Sequence, residues 1–218
     1  MPIRTSRIFI IDDHPIFLQG LKQVIASDPE MEVVGEAEDA ETALPLIRSL
    51  MPNVVVVDLD LPGMGGLELT EQLRALPNRP VVLVLTMHRE DQMVNAALDR
   101  GASGYLVKES AATELVNAIR IVLRGEIYVT PTLAGALVRR ARKAEALRDE
   151  IPGLARLTPT ELRVLKLVSE NKTSRQIARH LFISPRTVES HRANISEKLG
   201  LSGRNALLQF AIEHRGEL

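Results

Sequence analysis

Two patterns of hydrophobic and polar residues alternate along the first 125 residues of the chain. Short apolar runs, such as the four valines at 54–57, predict buried strands, and between these runs apolar residues recur at helical spacing. Strands that alternate with helices are typical of a parallel sheet covered on both faces by crossover helices. We therefore predict an α/β fold with a five-stranded, doubly wound parallel sheet, its strands at Arg7–Asp12, Met31–Ala37, Val54–Asp58, Val81–Thr86 and Gly104–Val107.

The pattern changes in the second half of the chain. Apolar residues at helical spacing among arginines and lysines predict a linker helix over Thr130–Asp149, and Pro152-Gly153 marks its end. Four short amphipathic segments follow, the first opened by a capping box of Thr158 and Glu161. The predicted organisation is a first domain at 1–125, a linker with a helix at 126–153 and a small all-α, four-helix domain at 154–218.

The formal charge divides between the same two halves. Residues 1–125 contain 11 Lys and Arg against 18 Asp and Glu, whereas residues 126–218 contain 16 against 10. A basic, helical second half favours nucleic acid as its partner. The chain has no cysteine, which excludes disulfides, thiolate metal sites and a cysteine nucleophile. We find no export signal and no apolar stretch of about 20 residues, and we expect a cytoplasmic protein without a membrane partner.

Four of the predicted strands end in residues that can carry chemistry. Asp12 and Asp13 close the first, Asp58 ends the third, Thr86 ends the fourth and Lys108 follows the fifth. The carboxyl ends of parallel strands share the edge where open α/β sheets bind ligands, so these side chains are expected to converge. Three neighbouring carboxylates repel one another unless a cation lies among them, and Mg²⁺ suits carboxylates that also receive a phosphoryl group. A lysine and a threonine are suited to contact a phosphoryl group on Asp58.

Other interpretations of these carboxylates remain open. An Asp-Asp pair often caps the helix that follows it. Asp58 and Asp60 after an apolar strand also resemble the nucleophile strand of haloacid-dehalogenase-type phosphatases, with Asp58 as nucleophile and Asp60 as acid. That family has its acidic pair downstream of the nucleophile. Here the pair comes first and no further carboxylate cluster follows Lys108, so the phosphatase is the weaker interpretation.

The same strand ends, with Leu61-Pro62-Gly63 behind Asp58 and the sequence Gly104–Lys108, resemble the receiver domain of two-component response regulators. The resemblance covers the first 125 or so residues. It implies a flavodoxin-like sheet on which Asp58 accepts a phosphoryl group from a histidine kinase or a small phosphodonor.

The receiver resemblance also implies a set of roles around Asp58. Mg²⁺ would be held by the side chains of Asp13 and Asp58 and by the backbone carbonyl of Asp60, with Asp12 assisting. The phosphoryl group would be contacted by Thr86 and Lys108, and Tyr105 would turn inward as Thr86 moves.

The helical half contains the spacing of a helix-turn-helix. A segment from Ser174 to His180 is followed by a turn at Leu181–Ile183 and a segment that starts at Ser184. The last segment has one apolar side and one small, polar side, as a helix that enters a major groove requires. Its predicted outer side and flanks carry Arg186, Thr187, Glu189, Ser190, Ala193, Asn194 and Glu197.

Several of these sequences, among them Ser174–Ala178, Ser184–Arg192 and Lys198–Gly200, resemble the LuxR-type DNA-binding domain over almost all of residues 154–215. Together with the receiver, the chain resembles a NarL/FixJ-family response regulator. The resemblance implies base reading chiefly by Glu189, Ser190 and Ala193. It makes these residues candidates for phosphate contacts: Thr173, Ser174, Arg175, Arg186, Arg192 and Lys198.

The expected function is a phosphorylation-controlled, DNA-binding transcriptional regulator, and not an enzyme. The expected partners are a cognate histidine kinase, double-stranded DNA and a second copy of the chain when it is phosphorylated or bound to DNA. The alternative is a DNA-binding regulator whose receiver serves only docking or dimerisation and is never phosphorylated.

Overall fold

The computed structural model describes residues 5–203, 205–216 and 218 of the chain. The chain divides into two units, of which the first ends at Ala136 and the second begins at Leu137. This division falls inside the segment 126–153 that the sequence assigns to a linker, near the start of one helix, Ala134–Glu150.

A parallel sheet of six strands forms the centre of the first unit, in the order β2-β1-β3-β4-β5-β6. The predicted α/β class is confirmed, with one strand more than predicted. The additional strand has only two residues, too few to show a periodic pattern in the sequence. The strands are β1 Ser6–Ile11, β2 Met31–Ala37, β3 Val54–Val57, β4 Val81–Thr86, β5 Gly104–Val107 and β6 Tyr128–Val129.

Five helices connect the strands of this sheet. They are α1 Pro15–Ala26, α2 Ala40–Leu50, α3 Gly66–Arg74, α4 Asp91–Asp99 and α5 Ala111–Leu123, and a short 3₁₀ turn, Lys108–Ser110, precedes α5. One face of the central strands forms a buried core with α1 and α5, in which Val54, Leu83, Leu106 and Ile119 are fully buried. Because both faces of β3 are covered, its four valines are all buried, which explains why the strand shows no alternation of apolar and polar residues.

The edge strand β2 pairs with β1 in a register that shifts by one residue along its length. Ile8 pairs with Val33, whereas the next residue, Phe9, pairs with Gly35. A Cβ atom at Gly35 would lie 2.6 Å from the ring of Phe9, so only glycine allows this ring to pack against the strand. The shift places one extra residue in the outermost long strand of the sheet and so interrupts its regular ladder, as a β-bulge does.

The second unit is entirely helical, as predicted. It contains most of α6 Ala134–Glu150, followed by α7 Pro152–Ala155, α8 Pro159–Ser169, α9 Ser174–Leu181, α10 Pro185–Lys198 and α11 Ala206–Glu213. The predicted capping box of α8 is confirmed, because Glu161 N donates to Thr158 Oγ1 at 3.3 Å and Thr158 N donates to Glu161 Oε2 at 2.7 Å. The helices enclose a separate apolar core that includes Val164, Ile177 and Ile195.

The helix-turn-helix consists of α9, a short turn and α10. The turn contains Phe182, whose φ of 56° lies in the left-handed region and whose side chain is almost fully exposed. Helix α10 starts with Ser184 as its cap, since the hydroxyl accepts from Thr187 N at 3.0 Å. Among the helices that the structure describes, none has both the length and the apolar character needed to cross a bilayer.

Candidate phosphoacceptor site and nucleic-acid interface

The ends of β1, β3 and β5 bring two aspartates and a lysine into direct contact. Ile11 pairs with Val57 in the parallel ladder, so the following residues, Asp12 and Asp58, leave neighbouring strands at the same edge. Lys108 Nζ lies 2.7 Å from Asp12 Oδ2 and 2.7 Å from Asp58 Oδ2. Both carboxylates are 1% exposed, so this ion pair is shielded from water.

The burial of this cluster changes the acidity of its members. Burial raises the pKa of Asp58, although the hydrogen bond from Lys108 acts in the opposite direction. Burial by itself lowers the pKa of Lys108, but its hydrogen bonds to Asp12 and Asp58 outweigh that effect and the pKa is raised. Lys108 is therefore held as an ammonium, and it faces an excess of carboxyl groups, those of Asp12, Asp13 and Asp58.

This excess of carboxyl groups makes the cluster suitable for a divalent cation. Asp12, Asp13, His14 and Asp58 each offer a ligand atom, and these atoms lie within 4.8 Å of one another. Three of the four are carboxylates, the donors that Mg²⁺ prefers, and Asp13 is partly open to solvent. The described residues therefore fit the predicted ion. His14, whose Nδ1 lies 2.6 Å from Asp13 Oδ1, belongs to this group and has an exposed side chain.

Thr86 ends β4 at the same edge, and Tyr105 lies in β5 two residues before the end of that strand. The Thr86 side chain is fully buried, and its Oγ1 accepts from His88 N at 3.2 Å. The Tyr105 hydroxyl donates to the carbonyl oxygen of His88 at 3.0 Å. Tyr105 is fully buried and thus occupies an inward position, and its burial raises the pKa of its hydroxyl.

A contact between His88 and Asp60 was not predicted from the sequence. His88 Nε2 lies 2.9 Å from Asp60 Oδ1, and this interaction raises the pKa of His88. Asp60 also donates from its backbone N–H to Asp58 Oδ1 at 3.3 Å. The sequence contains a signal for this contact, because Asp60 and His88 each stand two residues beyond Asp58 and Thr86, which lie at the ends of the neighbouring parallel strands β3 and β4.

In the second unit, α10 has the two-sided character that its sequence predicts. Val188 and Ile195 are fully buried, whereas the opposite side is exposed. The exposed residues of α10 include Arg186, Thr187, Glu189, Ser190, Ala193, Asn194 and Glu197.

A polar cleft lies where the start of α9 meets α10. Its volume is about 310 Å³. It brings together four residues that the resemblance assigns to DNA, one of them for base reading and three for phosphates. The cleft is lined by Asn171, Lys172, Thr173, Ser174, Glu189, Arg192 and Leu208. Thr173 also caps α9, while Arg175, another phosphate candidate, is exposed on the first turn of that helix.

The charged group of Lys198, another phosphate candidate, points to an internal partner. Its Nζ lies 2.6 Å from Oε2 of Glu161, a carboxylate that is 4% exposed. The ammonium therefore joins α10 to the start of α8 in this structure.

The fold and the site together define a two-component response regulator. Residues 8–120 match the family model for the response regulator receiver domain, and residues 155–211 match the model for bacterial regulatory proteins of the luxR family. The chain therefore belongs to the NarL/FixJ family of response regulators, which are phosphorylation-controlled transcriptional regulators and not typical enzymes.

Similar proteins support this assignment along the whole chain. The nitrate/nitrite response regulator protein NarL of Escherichia coli K12 is 39% identical over 205 residues, which are 91% of this chain and 91% of NarL. The RcsB response regulator of Salmonella typhimurium aligns with a TM-score of 0.59 and 27% identity, covering 94% of this chain and 98% of RcsB. A structure of two RcsB dimers bound to two parallel DNAs aligns with a TM-score of 0.57 and 28% identity, covering 94% and 97%.

Proposed function

We propose that Asp58 is the phosphoacceptor through which a histidine kinase controls the binding of this regulator to DNA. The observation that carries the proposal is the bridge of Lys108 Nζ between Asp12 and Asp58, 2.7 Å from each carboxylate. An ammonium so placed can move from a carboxylate oxygen to a phosphoryl oxygen once Asp58 is modified.

The proposed transfer forms an acyl phosphate. An oxygen of the Asp58 carboxylate bonds to the phosphorus of a phosphohistidine on the kinase while the phosphorus–nitrogen bond breaks. The imidazole nitrogen keeps the electron pair and then takes a proton from solvent. A small phosphodonor such as acetyl phosphate would give the same product, with acetate as the leaving group.

The residues present fit Mg²⁺ as the cofactor of this transfer. The side chains of Asp13 and Asp58 and the backbone carbonyl of Asp60 would hold the ion, with Asp12 assisting. Bound there, Mg²⁺ would neutralise charge on the phosphoryl oxygens.

A phosphoryl group on Asp58 would act through Thr86 and Tyr105. Thr86 would donate its hydroxyl hydrogen to a phosphoryl oxygen, and because its oxygen accepts from the backbone N–H of His88, a shift of the Thr86 side chain would move the loop after β4. Because the Tyr105 hydroxyl donates a hydrogen bond to the carbonyl of His88, a movement of the loop after β4 would also move the Tyr105 side chain. The added charge on Asp58 would thus change the surface formed by the loop after β4 and Tyr105.

The proposed target is double-stranded DNA, with α10 in the major groove. Its exposed side would read bases through Glu189, Ser190 and Ala193, flanked by Thr187 and Asn194. Phosphate contacts are proposed for residues at the start of α9 and along α10, which are Thr173, Ser174, Arg175, Arg186 and Arg192.

We further propose that the chain forms a homodimer when it is phosphorylated or bound to DNA, as the RcsB dimers on DNA support. Because its target is bacterial DNA, the expected location is the cytoplasm. The proposed domain organisation is a receiver at 1–125, a linker at 126–153 and a DNA-binding domain at 154–218.

The test is incubation with acetyl phosphate and Mg²⁺, followed by intact-mass measurement of the native chain and of Asp58→Asn. We expect one phosphoryl group on the native chain and none on the variant. Selection of bound sequences from random duplex DNA, with and without the phosphodonor, then reports the DNA motif and its dependence on phosphorylation. Unmodified native protein that still selects a motif would favour the alternative, a receiver that serves only for docking.

A further inference from the structure

After α5, the chain returns to the sheet as β6, which pairs with β5. The residue that follows β6, Thr130, also contacts β5 and is buried. Thr130 is 1% exposed, and its backbone N–H donates to the carbonyl of Tyr105 at 2.9 Å. Its hydroxyl oxygen accepts from the backbone N–H of Val107 at 3.0 Å and lies 3.4 Å from the Tyr105 carbonyl, to which it can donate. Thr130 thus holds β5 at two successive points of its backbone.

The hydroxyl of Thr130 continues the sheet where the sixth strand stops. In the ladder between β5 and β6, Gly104 pairs with Tyr128 and Tyr105 with Val129. Strand β6 ends there, so the ladder stops two residues before Val107, whose buried N–H still requires an acceptor. The Thr130 side chain supplies that acceptor and so keeps the last residue of β5 in line with the sheet.

Val107 directly precedes Lys108, the residue that bridges the acidic cluster. The direction in which the chain leaves β5 determines where the Lys108 ammonium can reach, and its contacts to Asp12 and Asp58 are both 2.7 Å long. The same strand carries Tyr105, whose hydroxyl reaches the loop after β4. One hydroxyl outside the acidic cluster therefore supports the backbone of the strand that provides two residues of the site.

We propose that Thr130 is a positioning residue for the phosphoryl-transfer site, acting through the Val107 N–H on the placement of Lys108. This inference rests on the proposed role of Asp58 as phosphoacceptor. It assigns to the segment between α5 and α6 an effect on the chemistry at Asp58 that is transmitted through β5 and Lys108. The segment continues from Thr130 into Pro131 and a 3₁₀ turn that leads to α6.

Two variants separate the hydroxyl of Thr130 from the bulk of its side chain, and a third variant is the control. Thr130→Val keeps the shape and removes the acceptor, whereas Thr130→Ser keeps the acceptor and removes the methyl group. The matched control is Thr70→Val, because the buried Thr70 hydroxyl donates to the Gly66 carbonyl within α3 at 2.8 Å. With acetyl phosphate and Mg²⁺, we expect Thr130→Val to slow the mass gain at Asp58 by about tenfold. Thr130→Ser and Thr70→Val are expected to remain near the native rate.

A double-mutant cycle with Lys108→Ala distinguishes positioning from a general loss of structure. If Thr130 acts through Lys108, Thr130→Val slows phosphorylation in the native background and adds little to Lys108→Ala. An equal loss in both backgrounds would overturn the inference, as would a native rate in Thr130→Val. If the valine variant does not fold, Thr130→Ala provides the same comparison. If the native chain gains no phosphoryl group, both the proposed function and this inference are overturned. If the native chain is phosphorylated and Thr130→Val is phosphorylated at the same rate, only the inference is overturned.

Discussion

The Nζ atom of Lys198 lies 2.6 Å from Oε2 of Glu161, and this contact joins the last turn of α10 to the first turn of α8. The same carboxylate oxygen accepts from the backbone N–H of Thr158 at 2.7 Å. One buried glutamate therefore both caps α8 and holds α10, the helix whose exposed side is proposed to read DNA.

Replacing Glu161 by alanine is expected to destabilise the second unit by about 3 kcal/mol, because the cap is lost and Lys198 is left without its partner. The measurement is urea unfolding followed by helical circular dichroism. Glu213→Ala, an exposed position on α11, is the control and is expected to change the free energy of unfolding by less than about 0.5 kcal/mol. Equal effects of the two substitutions would contradict the assigned role of Glu161.

The stabilisation by Glu161 is expected to depend on pH in a defined direction. Burial alone raises the pKa of Glu161, but the hydrogen bonds from Lys198 and Thr158 outweigh it and lower the pKa below its ordinary value of 4.5. A lowered folded pKa stabilises the fold above pH 4.5, and this contribution disappears as the pH falls through the folded value. The stability difference between the native chain and Glu161→Gln should therefore be constant near neutral pH and shrink below pH 4.5. A constant difference across the acid range would argue against the ion pair.

Lys198 and Arg175 are expected to differ in their effects on DNA binding. Arg175 is exposed at the start of α9, and a phosphate contact there contributes about −0.9 to the slope of log affinity against log salt. Arg175→Ala should therefore reduce the magnitude of the slope by about that amount. Lys198→Met should leave the slope unchanged, since its ammonium is held by Glu161. A reduced slope in Lys198→Met would return Lys198 to the phosphate contacts.

Two glycine substitutions in the first unit are expected to have opposite signs. A Cβ atom at Gly66 would lie 1.9 Å from the carbonyl oxygen of Asp58, so Gly66→Ala must displace the end of β3 and should cost about 3 kcal/mol. A Cβ atom at Gly20 would meet no described atom within 4 Å outside its own stretch of α1, so Gly20→Ala should stabilise by about 0.5–1 kcal/mol. Tyrosine fluorescence during urea unfolding measures both, because Tyr105 and Tyr128 both lie in the first unit.

Mg²⁺ should stabilise the first unit most when the ammonium group of Lys108 is removed. Removal of Lys108 leaves Asp12 and Asp58 buried without a counter-charge, so Lys108→Ala should unfold at a lower temperature in the presence of a chelator. Added Mg²⁺ should raise the melting temperature of this variant more than that of the native chain. Asp13→Asn should reduce the gain in both backgrounds. A gain that is the same with and without Asp13 would place the ion elsewhere.

The central sheet and the convergence of the site could be predicted from the sequence because both follow from strand order. The valines of β3 indicate a strand buried on both faces, and a parallel sheet places the residue after each strand at one edge. Asp58 and Lys108 are 50 residues apart, yet this rule brings them together without knowledge of the packing.

Other contacts depend on how helices and short segments dock, which periodicity does not report. The hydrogen bond from the Val107 N–H to Thr130 forms only because the two-residue strand β6 returns to the sheet. Two residues are too few to show a hydrophobic periodicity in the sequence. Helical spacing places Lys198 near the end of α10, but it does not show that Glu161, 37 residues earlier, lies beside it.

The register shift at Gly35 is expected to affect how copies of this protein associate at high concentration. A regular outer strand exposes a row of backbone groups to which another chain can add, and a bulge disrupts that row. Strand β2 also carries Glu32 exposed, so an approaching copy meets the like charge of this carboxylate as well as an irregular backbone, whereas Glu36 is paired with Lys22 at 2.8 Å. The opposite margin of the sheet offers only the two residues of β6. Both margins are thus poor templates for fibre growth, which favours association through side chains over association through the sheet.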